Sequence, residues 1–384
     1  MKKVLMGNHA AAMGAVLARV DVASAYPITP QTQVVEYLAE LKAQGKYQGQ
    51  YLKVESEHSA MAELLGAATA GARCFTATSS QGLAYMHELL HWVAGARLPV
   101  VMVDVNRALA SPWNLWTDQT DSLSQRDTGW LQFYCSSNQE VLDTVLMAYK
   151  IAERVSLPVM VAYDGFTLSH TYEPVDVPDQ ALVDRFLPPY KPKQVLDPAA
   201  PLTFGALVQP REYFRLRRRI MADMKEALDV IEEVGREFGE LFGRQYGLIE
   251  SYRCEDAETM LVTSGAPGST AKAAVDELRK QGFAAGNLRV RAFRPFPSEA
   301  LAALVRPRIP LAVVDRNYSP GSTGIFFEEI KAALYAAESK PPVYGFIAGL
   351  GGGDITSELL QEVWSDVFHG KAKESEPAWV EDAR

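Results

Sequence analysis

The sequence predicts an α/β protein built on parallel sheets, and three observations lead there. Short apolar runs alternate with helical stretches along the first 165 or so residues, the same alternation returns from Asp256, and a proline-punctuated segment with a long helical stretch separates the two. Strand, helix and strand repeated in this way form a parallel sheet covered on both faces. At about 100–200 residues per domain, 384 residues accommodate two or three such units.

The first unit takes its strands at Val20–Tyr26, Tyr51–Val54, Cys74–Thr78, Pro99–Val105 and Pro158–Tyr163. Its helices are predicted near Thr32–Ala43, His58–Ala70, Gln81–Ala94 and Gln139–Val155. Between Tyr172 and Ala206 prolines recur, and proline lacks the backbone donor that a ladder or helix interior needs, so a linker or surface arm is expected. A helix over Glu212–Tyr246 follows, its apolar residues spaced by threes and fours from Tyr213 to Leu241 in one stripe. The second unit reads as strands at Met260–Thr263, Leu288–Ala292, Leu311–Asp315 and Val343–Ile347, with helices at Ser269–Gln281, Ser298–Val305 and Gly324–Ala337. The expected division is 1–171, 172–255 and 256–384.

Composition narrows the function. Hydrophobic residues make up 48% and charged residues 22%, values of a globular chain with a full core. The net charge of -9 argues against nucleic acid, which needs clustered cations; Arg215, Arg217, Arg218 and Arg219 are answered by Glu232, Glu233, Glu237 and Glu240 on the same helix. No apolar run reaches the length of a membrane span, and the first residues turn polar too soon for a secretory signal, so a cytoplasmic protein is expected. Three separated cysteines, Cys74, Cys135 and Cys254, cannot supply the four thiolates of an iron–sulfur cluster. Such a centre would belong to another chain.

Two motifs have bland readings. His87-Glu88-Leu89-Leu90-His91 matches a zinc-binding pattern on a helix, but no third ligand follows His91 at the expected offset, and a packed amphipathic helix is favoured. Gly349-Leu350-Gly351-Gly352-Gly353-Asp354 lacks dinucleotide-loop spacing and reads as a flexible turn or a close interdomain contact.

The ends of the predicted strands are more telling, because ligands of parallel sheets bind there. Tyr26-Pro27-Ile28-Thr29-Pro30 holds a threonine hydroxyl between two prolines; Glu57 opens a helix as either a capping group or a partly buried acid. Thr78-Ser79-Ser80-Gln81-Gly82 offers hydroxyls and backbone N–H groups, and Arg107 a carboxylate fork. Each is weak alone, but a shared edge makes them a site.

These blocks, with Ser124–Trp130, Arg294-Pro295-Phe296-Pro297 and Phe346–Gly351, resemble one family over nearly the whole chain. It is the alpha subunit of the thiamine-diphosphate-dependent 2-oxoacid:acceptor oxidoreductases, the pyruvate:ferredoxin oxidoreductase group. The resemblance implies a pyrimidine-type thiamine-diphosphate-binding domain followed by a transketolase C-terminal-like α/β domain. It implies that Glu57 hydrogen-bonds the aminopyrimidine N1′ and is catalytic, that Pro27, Ile28, Ser80, Gln81 and Gly82 line the cofactor, and that Thr29 and Arg107 contact the substrate carboxylate. It implies CoA-dependent oxidative decarboxylation of a 2-oxoacid to acyl-CoA and CO2, with electrons passing to iron–sulfur clusters on partner chains. Those partners would be a beta subunit with the diphosphate and Mg2+ site, gamma and ferredoxin-like subunits, and a flavin- and NAD-binding subunit where NAD is the acceptor.

Thr29 occupies the position that carries a second arginine in oxalate-using members, so a monocarboxylate is expected, with pyruvate the leading substrate. A branched oxoacid, or an arylglyoxylate such as phenylglyoxylate, is the alternative. Trp113 and Trp116 are either core residues or walls of a larger pocket. The sequence lacks the G-D-G…N segment that binds the diphosphate's magnesium in these enzymes, so no metal site is expected in this chain. Two competing readings are a non-catalytic scaffold subunit and a zinc hydrolase.

Overall fold

A computed structural model describes residues 1–337 and 340–381. The first unit opens with β1 (Lys2–Met6) and α1 (Gly7–Leu17), followed by β2 (Val22–Ala25), α2 (Thr32–Ala43), β3 (Gln50–Lys53), α3 (Glu57–Thr69) and β4 (Cys74–Thr78). It continues with α4 (Ser80–Tyr85), α5 (His87–Gly95), β5 (Val101–Asn106), α6 (Thr120–Leu123), β6 (Leu131–Cys135), α7 (Asn138–Val155) and β7 (Val159–Asp164). β8 (Tyr172–Asp176), α8 (Gln180–Phe186) and the long α9 (Pro210–Phe242) lead to the second unit.

There, β9 (Ile249–Tyr252), β10 (Thr259–Thr263), α10 (Pro267–Lys280), β11 (Ala285–Val290), β12 (Ala292–Arg294) and α11 (Ser298–Leu304) precede β13 (Leu311–Asp315). α12 (Ile325–Leu334), β14 (Val343–Ala348), α13 (Ser357–Phe368) and β15 (Ala378–Val380) complete it.

The first sheet has the order β12-β6-β7-β5-β4-β2-β3, and all its pairs are parallel except β12 with β6. β5, β6 and β7 are buried along their whole length, as strands covered on both faces must be. The second sheet runs β15-β14-β13-β10-β11-β9, with β9 alone antiparallel. The α/β class read from the sequence is therefore what the chain adopts.

Several elements differ from the sequence reading. The first residues form β1 and α1; α1 packs on α7 with Ala10, Ala11, Ala12 and Ala15 fully or almost fully buried. The predicted Gln81–Ala94 helix is two helices that meet at Met86. The proline-rich segment is not a bare linker: β8 pairs with β1, and Val183 and Phe186 of α8 enter the first core. β12 follows β11 by one residue yet leaves its own sheet to close the edge of the first, at β6.

Only part of the α9 stripe is covered. Ala227, Ile231, Val234 and Phe238 are buried, whereas Tyr213 and Leu216 stand exposed. The two units are joined by a buried ion cluster. Glu140 of α7 accepts from Arg291 Nε at 2.8 Å and lies 3.1 Å from Arg289 Nη1, and all three are almost fully buried. The two guanidinium groups and the Ser136 donors outweigh burial and hold the Glu140 carboxyl below its ordinary range.

Candidate functional site

β2, β3, β4 and β5 are neighbours and parallel, so their C-terminal ends lie along one edge. The residues that follow them are Thr29, Glu57, Ser80–Gly82 and Arg107. The topology thus brings together all four strand-end segments that the sequence singled out, at the edge where such sheets bind ligands.

Glu57 is the first residue of α3 and is 8% exposed. Capping is done by its neighbour: Ser56 Oγ accepts from the Ser59 N–H at 3.1 Å. The Glu57 carboxylate is left with no hydrogen-bond donor among the described residues. Gly82 presses against it. A Cβ at Gly82 would stand 2.7 Å from Glu57 Oε1 and 2.6 Å from Thr78 Oγ1, so any larger residue would displace one or the other. The Thr78 hydroxyl is itself buried without a partner.

Arg107 is 5% exposed and makes no ion pair within 4 Å among the described residues. Its Nη1 donates to the Thr29 carbonyl at 2.7 Å and its Nη2 to Gln81 Oε1 at 2.9 Å. Its Nε is buried and unpartnered, as is Gln81 Nε2. Burial lowers the Arg107 pKa from its usual value, opposed by the nearby Asp121 charge. A buried cation held by neutral carbonyls and keeping an unused donor is suited to receive an anion.

Thr29 touches Arg107 through its carbonyl, and its side chain is exposed with no protein partner among the described residues. Pro27 is exposed and Ile28 half-buried, and the Ile28 carbonyl accepts from the Gln31 N–H. Ser80 Oγ lies 2.7 Å from both the Ala108 carbonyl and Gln81 Oε1, which ties the Ser80–Gly82 segment to the one that follows Arg107.

The tryptophans are not core. Trp113 is 79% and Trp116 54% exposed. Trp116 sits in the loop after Arg107, where its carbonyl accepts from the Ala108 N–H and its ring lies 6.3 Å from that of Phe166. The glycine-rich loop of the second unit meets the same segment. A Cβ at Gly352 would fall 2.3 Å from Trp116 Cβ, and the Gly352 N–H donates to the Thr117 carbonyl at 2.8 Å. This is the close interdomain contact.

His87 and His91 lie with ring centroids 5.0 Å apart, and His87 Nδ1 is 2.5 Å from Gln125 Oε1. No group of three or more candidate metal ligands occurs among the described residues. None of the described helices is long and apolar enough to cross a membrane.

Sequence reasoning missed a buried carboxylate pair behind the site, Asp104 and Asp121. The signal was present: Asp104 interrupts the apolar run Val101–Val105, and a carboxylate there requires partners. Asn106 Nδ2 provides them, lying 2.9 Å from Asp104 Oδ2 and 2.8 Å from Asp121 Oδ1.

Matches to family models and to curated relatives define a subunit of a 2-oxoacid oxidoreductase. The thiamine-diphosphate-binding family of pyruvate flavodoxin/ferredoxin oxidoreductases matches residues 13–236, and pyruvate:ferredoxin oxidoreductase core domain II matches residues 257–360. The chain belongs to this pyruvate:ferredoxin oxidoreductase family, as an alpha subunit.

Among its relatives, the ketoisovalerate oxidoreductase subunit VorA of Pyrococcus horikoshii is 53% identical, over 96% of this chain and 94% of its own. The pyruvate synthase subunit PorA of Methanothermobacter thermautotrophicus is 49% identical, over 94% of each. The fold is shared with a solved 2-oxoglutarate:ferredoxin oxidoreductase from Magnetococcus marinus, with a TM-score of 0.74 at 21% identity. That match covers 96% of this chain and 65% of the other.

Proposed function

We propose that this chain forms the aminopyrimidine side of a thiamine diphosphate site completed by a partner subunit, and that it serves CoA-dependent oxidative decarboxylation of an aliphatic 2-oxo monocarboxylate. One observation carries the reading. Glu57 is a buried residue whose carboxylate lies against a glycine that must stay bare, and no donor among the described residues uses it. A carboxyl so placed can share a proton with N1′ of an aminopyrimidine. Thr78, Ser80 and Gln81 would line the same wall, with Pro27 and Ile28 opposite.

When bound, thiamine diphosphate would supply the electron sink for decarboxylation. Arg107 would hold the substrate carboxylate through the N–H donors of its terminal nitrogens that the Thr29 carbonyl and Gln81 leave unused, and those two partners would fix its plane. A single buried cation with neutral partners suits one carboxylate, one that departs as CO2 and must not be clamped too tightly. Pyruvate and ketoisovalerate, named in the relatives' descriptions, are the two leading substrates.

Iron–sulfur clusters, and CoA as the acyl acceptor, are assigned to the assembled complex. Cys74, Cys135 and Cys254 are all buried, and burial pushes the Cys74 and Cys135 thiols up to about 12, unsuited to thiolate ligation. The beta, gamma and ferredoxin-like subunits would carry them.

The test is Glu57→Gln in the reconstituted complex, followed by exchange of the thiamine C2 proton and by 2-oxoacid-dependent ferredoxin reduction. Both should fall by roughly 10²–10⁴-fold. Near-normal exchange would overturn the assignment. A panel of pyruvate, ketoisovalerate and phenylglyoxylate ranks the substrates.

A further inference from the structure

Behind the site, one carboxylate touches the backbones of both halves. Asp121 Oδ2 accepts from the Ser80 N–H at 2.9 Å and from the Arg107 N–H at 2.9 Å. Asp121 Oδ1 accepts from the Ser122 N–H at 2.8 Å and from Asn106 Nδ2 at 2.8 Å. The carboxylate is 1% exposed and its acceptor positions are all in use. Ser80 and Arg107 lie just beyond the ends of two neighbouring strands, β4 and β5, so the bond to Oδ2 crosses from one to the other.

Ser80 also has φ of 49°, a left-handed conformation that a side chain disfavours and that its surroundings must enforce. Burying a carboxylate this deeply costs free energy unless its partners are well placed. Burial raises the Asp121 carboxyl, and burial with the Asp121 charge raises Asp104 well above its ordinary range, so these two acids depend on the donors placed around them. A plain helix or strand end needs no such arrangement.

We propose that Asp121 is a positioning residue that locks the Arg107 backbone to the Ser80 turn, and so holds the substrate-carboxylate fork in register with the Glu57 side of the site. The proposal rests on the reading of Arg107 and Glu57 given above. Asp121 touches neither ligand and acts through Arg107 and Ser80.

In Asp121→Ala the Ser80 and Arg107 N–H groups both lose their shared acceptor. Within the assembled complex, KM for the 2-oxoacid should rise roughly ten- to hundredfold, the range for losing hydrogen bonds to a charged group. Thiamine C2-proton exchange, which reads Glu57 and not Arg107, should stay within about threefold. In an Arg107→Ala background the same substitution should add less than about threefold, because both changes remove one interaction. If Asp121→Ala does not assemble, Asp121→Ser, whose shorter side chain also leaves the Ser80 and Arg107 N–H groups without their carboxylate, gives the same comparison.

A KM within about twofold of wild type, or effects that simply add, would overturn the proposal. So would a fall in exchange that matches the rise in KM, which marks general collapse. Failure of the underlying reading shows elsewhere, as C2-proton exchange that survives Glu57→Gln.

Discussion

In each of the two larger sheets a carboxylate stands at a strand-to-helix junction with a glycine pressed against it. In the second unit it is Asp315, at the end of β13. Its Oδ1 accepts from the Phe326 N–H and Asn317 Nδ2, each at 2.9 Å, and its Oδ2 from the Phe327 N–H at 3.1 Å. A Cβ at Gly324 would come within 2.2 Å of it. In the first unit it is Glu57, which has the same kind of glycine neighbour and no protein donor among the described residues. Asp315 is consumed in capping α12. Glu57 is relieved of capping by Ser56 and stays available to a ligand. Similar local architecture thus leaves the carboxylate spent on protein donors in one unit and free of them in the other.

The sharpest way to break this contrast is to neutralise both acids. Glu57→Gln should cost roughly 10²–10⁴-fold in turnover with little change in melting temperature. Asp315→Asn should leave turnover within about twofold and lower the melting temperature. Equal losses of activity in the two variants would erase the distinction. The seam between the units comes next. Glu140→Gln leaves Arg289 and Arg291 buried without their carboxylate and should destabilise by about 3–5 kcal/mol in denaturant titrations. A change under about 1 kcal/mol would show that the cluster does not join the units.

A third effect is set by pH. Burial pushes the Asp315 carboxyl up to about 7. A raised acid contributes stability that is complete below its unfolded pKa and fades as pH rises through the folded one. The advantage of wild type over Asp315→Asn should therefore shrink from pH 5 to pH 8, by about 2–3 kcal/mol. An advantage that grows over this range would contradict the assignment. The smallest effects compare the glycines. Gly82→Ala should lower turnover at least tenfold and cost about 1–3 kcal/mol, whereas Gly324→Ala should show the stability loss alone. Kinetics and thermal melts on both variants decide it.

Much of this was legible in the sequence because it is local. A strand followed by a helix places Thr29, Glu57, Ser80 and Arg107 at junctions, and in a parallel sheet all junctions share an edge. What escaped depended on distant partners. Nothing near Ala292–Arg294 says that this strand leaves its neighbours to pair with β6, because its register is set by the other unit. Trp113 and Trp116 have core composition in a segment whose backbone runs along the surface. That the Thr29 carbonyl reaches Arg107 is a choice of atom that residue identity cannot reveal. Asp121 is one of several polar residues in its stretch, and only the fold shows that two site backbones converge on it.

The borrowed strand also governs how the polypeptide can be handled. Cutting the chain ahead of β9 would strip β12 from β6 and expose a raw row of unpaired amides and carbonyls along a fully buried strand. The amino-terminal fragment would then offer a sticky rim to its own copies, and a soluble, well-behaved half-molecule is not to be had by truncation at that boundary.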